Sequence, residues 1–165
     1  MGPPFEPDAG LAARVLPGPL HAALRHVFAQ GVEGAVLVGG TALAGYYAGH
    51  RRSDDIDLFV EGEAAHRAAV LAVESLRGRG AELTPQTRTA QYYHALAAWG
   101  GHSFTVDVAV HGALWSPGDS ILASDGVRVA TLDSLTAMKS AALLSRASEK
   151  DLYDLRWLIG NRPTL

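Results

Sequence analysis

The chain has 165 residues, a formal net charge of −3 with neutral histidines, and no cysteine. This length suits one domain that buries roughly 70% of its unfolded surface. The absence of cysteine excludes a disulfide scaffold, a thiolate zinc site and a cysteine nucleophile, and the charge gives no overall basic footprint for nucleic acid. No secretory signal and no apolar run of about 20 residues is present, so we expect a cytoplasmic protein without membrane segments.

The first half of the chain reads as an arm followed by alternating helices and strands. We expect residues 1–19 to form a loosely ordered arm, proline-rich at its start, and residues 20–165 to form a single domain. Apolar spacing predicts a helix over 20–29, a buried strand over 35–38, and a helix over 41–48 that Gly49 caps. A strand over 56–60 and a helix over 64–77 follow.

The second half reads as a hairpin, two short strands and two helices. Strands over 91–99 and 103–111 flank Gly100 and Gly101, which predicts a hairpin. Short strands over 121–123 and 127–129 precede helices over 131–144 and 148–159. The order predicts an α/β (α+β) domain, with a small mixed β-sheet flanked by helices.

Two carboxylates interrupt the strand predicted over 56–60. Side chains alternate across a strand, so Asp55 and Asp57 share one face, about 7 Å apart. Like charges this close repel each other and raise each other's pKa. A hard divalent cation, Mg²⁺ or Mn²⁺, would offset the repulsion. The alternative is an exposed strand face whose aspartates pair with Arg51 and Arg52.

A glycine pair separates the strand over 35–38 from the next helix. Gly39 and Gly40 would let an anion approach the backbone N–H groups where that helix begins at Thr41. A phosphate cradle beside paired carboxylates is what metal-assisted nucleotidyl transfer requires. The alternative is a tight turn with a purely structural role.

A third carboxylate, Asp107, stands alone between valines in the segment SFTVDVAVH. If this strand neighbours the strand over 56–60, Asp107 completes a triad that could hold two metal ions. It would also be placed to accept a proton from the acceptor. The alternative is a charge on an edge strand that discourages aggregation.

Two segments together resemble a known family. They are GGTALAGYYAGHRRSDDIDLF (39–59) and TLDSLTAMKSAALLSRASEKDLYDL (131–155), and the family is the AbiEii/AbiGii toxins, minimal nucleotidyltransferases with the polymerase-β-like nucleotidyltransferase fold. The resemblance spans about 36–155. It implies metal-dependent transfer of NMP from an NTP to a tRNA, protein or small-molecule acceptor, and a cognate antitoxin as partner. The alternative is a weak or inactive nucleotide-binding, antitoxin-like module of the same fold.

The resemblance also implies roles for individual residues. Contact with the nucleotide falls to Gly39, Gly40, Thr41, Ser53 and Lys139; metal binding falls to Asp55, Asp57 and Asp107; and catalysis falls to these three aspartates with Lys139. A second tier comprises His50, Arg51, Arg146 and Asp151. The resemblance implies that His50 and Arg51, together with Ser53, order the loop before the metal-binding strand.

Several of these residues also have structural interpretations. Lys139 and Arg146 lie seven residues apart, as in a solvated helix stripe, and Ser148 with Asp151 fits a capping box. Asp154, one turn later, could pair with Lys150 or Arg146 instead of facing a site.

Three histidines surround the predicted hairpin, at positions 94, 102 and 111. Their spacing matches no zinc signature, so we interpret His94, His102 and His111 as surface or partly buried residues.

Overall fold

The computed structural model describes residues 5–146 and 148–161. Its helices are Ala9–Val15 (α1), Gly18–Ala29 (α2), Gly39–Leu43 (α3), Glu63–Glu74 (α4), Leu132–Ser145 (α5) and Glu149–Asn161 (α6). Its strands are Ala35–Val38 (β1), Asp55–Val60 (β2), Glu82–Arg88 (β3), Tyr92–Trp99 (β4), His102–Val110 (β5), Ser120–Leu122 (β6) and Arg128–Ala130 (β7). Over these described ranges, every helix is too short or too polar to cross a bilayer.

Within the described residues, the strands form one mixed sheet in the order β3-β4-β5-β2-β1-β7-β6. β2 runs parallel to β5 and β1 parallel to β7, while the remaining neighbours are antiparallel. α4 packs against β2 and β5, and α2 packs against α4. The predicted mixed sheet flanked by helices is confirmed.

One face of the central strands forms the core. Ile56 and Leu58 of β2 and Val106 and Val108 of β5 are each at most 1% exposed. Because side chains alternate along a strand, the residues between them lie on the opposite face. That opposite face carries the aspartates.

The N-terminal segment is not the loosely ordered arm that we expected over 1–19; residues 1–4 of that range lie outside the described residues. Asp8 accepts a hydrogen bond from the backbone N–H of Leu11 and caps α1. Ala12 is fully buried, and Leu16 is 6% exposed and lies against Gly45 of the π-helical turn Ala44–Ala48 that follows α3. The segment is therefore part of the core.

Truncating Leu16 should test this correction. Leu16→Ala is expected to lower the free energy of unfolding by about 2–4 kcal/mol, because a buried leucine leaves a cavity. Leu71→Ala on α4, where the side chain is 67% exposed, is the matched control and should change it by about 0.5 kcal/mol or less. Urea denaturation measures both. Equal stability for the two variants would contradict a packed N-terminal segment.

The edge strand β3 escaped the sequence analysis. Only Leu83 of this strand is buried, so the segment ELTPQTR shows no apolar alternation. Proline lacks a backbone N–H, and Pro85 is tolerated because the outer side of an edge strand pairs with no other strand. The pairing of β3 with β4 also shifts register between Pro85 and Thr87.

Candidate active site

The sheet brings the three predicted metal-binding aspartates onto one face. β2 and β5 pair in parallel register, with Asp57 opposite Asp107 and Asp55 opposite Thr105. The Thr105 hydroxyl donates a hydrogen bond to Asp55 Oδ1 at 2.8 Å. The sequence analysis required the strand of Asp107 to lie next to β2, and it does.

Asp57 lies in the least favourable electrostatic environment of the three. Burial, with smaller contributions from the charges of Asp107 and Asp55, raises the pKa of its carboxyl to about 6. Lys139 and Arg146 act in the opposite sense. A half-buried carboxylate facing two others favours a bound cation, and an all-oxygen donor set suits a hard divalent ion such as Mg²⁺ or Mn²⁺.

The carboxylates share a face but are not gathered around one point. Over the ranges that the structure describes, no three histidine, aspartate or glutamate side chains converge as metal ligands would. Asp107 Oδ1 instead accepts a hydrogen bond from the Tyr92 hydroxyl and lies 2.9 Å from His94 Nδ1. The bond to Asp107 raises the pKa of Tyr92 to about 12. A metal held by all three aspartates would require Asp107 to exchange these partners.

The glycine turn is shaped by the side chains packed against it. Gly39 has φ +73°, and a Cβ there would lie 2.5 Å from Asp57 Oδ2. A Cβ on Gly40 would overlap the guanidinium of Arg51. α3 begins at Gly39 without a side-chain cap, so its first N–H groups have no side-chain acceptor there. The positive φ of Gly39 favours glycine there, and a side chain at Gly40 would require the Arg51 guanidinium to move.

Substituting Gly39 should show this preference for glycine. Gly39→Ala is expected to cost about 1–3 kcal/mol of unfolding free energy and to displace Asp57, because the residue keeps a positive φ and its methyl meets the carboxylate. Gly126→Ala has a similar φ of +89° but no atom within 4 Å of the added Cβ. Thermal denaturation of both variants separates backbone strain from the clash; equal losses would show that the Asp57 contact is unimportant.

Thr41 and Ser53 lie beneath the turn. Thr41 is fully buried and Ser53 is 6% exposed. The Thr41 hydroxyl lies 2.8 Å from Ser53 Oγ and also contacts the backbone carbonyl of Asp55. Their side chains thus fix the glycine turn to the start of β2. The nucleotide contact that the resemblance implies for both residues stays a prediction.

A buried carboxylate, Asp154, links the turn region to α5. Arg51 donates to it from Nε at 2.7 Å and Nη2 at 2.9 Å, His50 Nε2 lies 2.7 Å away, and Lys139 Nζ lies 2.9 Å away. Burial alone would raise the pKa of Asp154, but these hydrogen bonds outweigh it and hold the pKa well below its usual range. The predicted ordering role of His50 and Arg51 thus has a physical basis in one shared anion.

Lys139 is held between two carboxylates. Its Nζ lies 2.8 Å from Asp151 Oδ1 as well as close to Asp154, and its side chain is 12% exposed, which is not a solvated stripe. Ser148 Oγ accepts from the N–H of Asp151 and donates to Asp151 Oδ2. Ser148 therefore caps α6 at the N–H of Asp151, as the capping box predicted, and the Asp151 carboxylate also contacts Lys139.

A cavity of about 360 Å³ opens beside Asp57. Its charged lining comprises Asp57, Lys139, Arg146 and Asp151, and the turn contributes Gly39. Asp55 and Asp107 lie on the same sheet face as Asp57 but do not line the cavity. His50 and Arg51 do not line it either, and they contact Asp154 instead. Lys139, Arg146 and the glycine turn at Gly39 therefore lie together beside Asp57. Two cations next to exposed backbone N–H groups can bind a polyphosphate.

The sequence analysis assigned neither Tyr92 nor His94 to the site and left the partner of Asp154 open. For His94 a signal existed: a hairpin that turns at Gly100 and Gly101 fixes its register, and counting back places His94 opposite Asp107, as observed.

A mixed sheet that displays aspartates on two paired strands next to a glycine turn is the arrangement of the nucleotidyltransferase class. The sequence matches the family described as "Nucleotidyl transferase AbiEii toxin, Type IV TA system" over residues 22–164. The chain belongs to this family, and the resemblance seen in the sequence is confirmed. No curated protein matches the sequence.

Solved structures show the same fold. JHP933 from Helicobacter pylori matches with a TM-score of 0.64 at 18% identity, over 86% of this chain and 65% of that one. MenT4, a nucleotidyltransferase toxin from Mycobacterium tuberculosis H37Rv, matches with a TM-score of 0.63 at 18% identity, over 93% and 65%. The chain spans about 65% of the length of each.

Proposed function

We propose that this protein is a metal-dependent nucleotidyltransferase that transfers NMP from an NTP to an acceptor, as the toxin of a toxin–antitoxin pair. One observation carries the proposal: Asp57 and Asp107 lie in register on paired strands, beside a cavity lined by Gly39, Lys139 and Arg146. Family membership supports it.

Different residues of the site would bind the metal ion, the phosphates and the leaving group. Asp55, Asp57 and Asp107 would hold Mg²⁺ or Mn²⁺, which when bound offsets phosphate charge as a Lewis acid. The backbone at Gly39 and Gly40 allows close approach of a phosphate. Lys139 and Arg146 then lie where they can offset the charge of the triphosphate and of the departing pyrophosphate, with Lys139 oriented by Asp151 and Asp154.

The chemical step is an in-line displacement at the α-phosphorus. The acceptor oxygen forms the new bond to phosphorus, the bond to the α–β bridging oxygen breaks, and pyrophosphate leaves with that electron pair. Asp107, whose side chain is 23% exposed and contacts the Tyr92 hydroxyl, accepts the proton of the acceptor. The acceptor classes in view are tRNA, a protein side chain and a small molecule.

The proposal extends to the cellular setting. A toxin that modifies such acceptors works in the cytoplasm, where NTPs are abundant, and a cognate antitoxin protein keeps it silent. Growth arrest on expression, relieved by a co-expressed antitoxin, would support this part of the proposal.

Label transfer tests the activity directly. The protein is incubated with Mg²⁺, each α-labelled NTP in turn, and total tRNA, total cell protein or a panel of small molecules. Wild type should transfer label, and Asp107→Asn should reduce the rate about 100-fold or more. Asp54→Asn is the matched control, because Asp54 instead faces Arg52 and His102. Absence of label with every acceptor would contradict the proposal and favour a nucleotide-binding module.

A further inference from the structure

An aromatic pair continues the carboxylate face of β2. Phe59 follows Asp57 by two residues, so it lies on the same face about 7 Å further along the strand. The ring of His111, just beyond β5, stacks on it with centroids 4.4 Å apart and planes at 4°. Both rings line the cavity that Asp57 and Lys139 also line.

The cavity wall near this pair is apolar. Its apolar lining includes Val38 of β1 and, on α5, Leu135, Met138, Ala141 and Ala142. The cavity thus combines an aromatic and apolar wall with the charged group of Asp57, Lys139 and Arg146. A nucleotide has the same division, because a ribose separates its flat base from its charged phosphates.

His111 is fixed in a state that can donate a hydrogen bond. The backbone N–H of Ala113 donates to His111 Nδ1 at 3.2 Å, so in the neutral ring the proton is on Nε2. The indole N–H of Trp115 donates to the backbone carbonyl of His111 at 2.7 Å. These contacts hold the backbone and one edge of the ring. Within 5–146 and 148–161, Nε2–H has no hydrogen-bond partner and can donate to a ligand.

We propose that the Phe59–His111 pair is the nucleobase-binding wall of the NTP site, and that His111 Nε2–H donates to an acceptor atom of the base and so selects among NTPs. The inference rests on the proposed function, since it assigns the base-binding part of the same site. Base–aromatic stacking supplies affinity for any base, and the hydrogen bond supplies the preference.

The test separates base recognition from phosphate recognition. Calorimetry measures binding of the four α,β-methylene NTP analogues, which cannot undergo transfer, and of tripolyphosphate, all with Mg²⁺. Wild type should bind its preferred analogue about tenfold or more tighter than tripolyphosphate. His111→Ala should lose most of that difference, whereas His111→Phe should keep the stacking contribution and lose the preference among bases. Tripolyphosphate affinity should stay unchanged in both variants.

A second stacked pair on the same sheet provides the control. His102 stacks on Phe104 with centroids 6.3 Å apart and lies outside the cavity lining, so His102→Ala should bind all analogues as wild type does. Equal affinity of wild type for tripolyphosphate and the analogues would overturn the base-binding wall while leaving the transferase intact. Unchanged base preference in His111→Phe would overturn the hydrogen bond. Failure of wild type to bind either kind of ligand would instead contradict the proposed function.

Discussion

Asp57→Asn should stabilise the protein while abolishing nucleotidyl transfer. Folding raises the pKa of Asp57 from its ordinary value of 3.8 to about 6, chiefly by burial. The ionised carboxylate is therefore disfavoured in the folded state, and folding stability falls as pH rises from about 4 to about 6. A neutral asparagine removes this cost. At about 1.4 kcal/mol for each pKa unit, the gain at pH 7 is about 2–3 kcal/mol, or a melting temperature about 4–10 °C higher.

The same substitution should remove the metal-dependent behaviour of the protein. Mg²⁺ or Mn²⁺ should raise the melting temperature of wild type, because a ligand that binds only the folded state stabilises it, and should leave Asp57→Asn nearly unaffected. Label transfer by the variant should fall about 1,000-fold or more.

The control for Asp57→Asn is a neighbouring aspartate of different environment. Asp54 has a side chain that is 46% exposed and pairs with Arg52, so Asp54→Asn should change neither the melting temperature, by more than about 2 °C, nor the metal response. A lower melting temperature for Asp57→Asn, or transfer at the wild-type rate, would show that Asp57 is a structural residue instead.

The carboxylate face was predictable because strand alternation is a local property. Asp55 and Asp57 must share a face whenever their segment is a strand, and Asp107 follows the same rule on its own strand. The sequence did not determine that β2 and β5 would be parallel neighbours, since that pairing depends on the order of all the strands in the sheet. The triad was therefore predicted only on the condition that the two strands are neighbours. The structure meets this condition, with Asp57 opposite Asp107.

The errors arose where long-range packing overrides local pattern. Proline-rich composition indicated an arm, yet the chain at Asp8 is held by a hydrogen bond from its N–H to the carbonyl of Tyr46, 38 positions away. For Asp154 the sequence left open a pairing with Lys150 or Arg146 and a position facing the site. Spacing along a helix cannot reveal a partner such as Arg51, which comes about 100 residues earlier. Its burial follows from the docking of α6 and from no feature of its own segment.

Asp154→Asn should be among the most damaging single substitutions in the protein. The carboxylate is fully buried and is the shared partner of Arg51, His50 and Lys139. An amide cannot balance those cations, and breaking a buried ion pair from one side costs about 3–5 kcal/mol. Urea denaturation at pH 7 should show this loss. Asp119, which is half-buried and accepts a hydrogen bond from the backbone N–H of Ser116, should cost about 1 kcal/mol or less when changed in the same way.

The pH dependence of stability should distinguish this charge from mere packing. Because folding lowers the pKa of Asp154, its contribution is present above the unfolded pKa of about 4 and is lost as pH falls below that value. Wild type should lose stability steeply on acidification in this range, and Asp154→Asn should lose less. Parallel pH profiles for the two proteins would contradict a charge-based role.

Asp154→Asn should also lower nucleotidyl transfer, because Asp154 contacts Lys139, which lines the cavity. Without Asp154 the ammonium group keeps, among the residues that the structure describes, only Asp151 as a close partner. Transfer by any folded Asp154→Asn should therefore fall together with stability. Lys139→Met alone should lower transfer but cost less stability, because it leaves Asp154 paired with Arg51 and His50. In the double variant one uncompensated cation is gone, so its stability loss should be smaller than the sum of the two single losses. Additive losses would mean that Asp154 supports the turn alone and does not position Lys139.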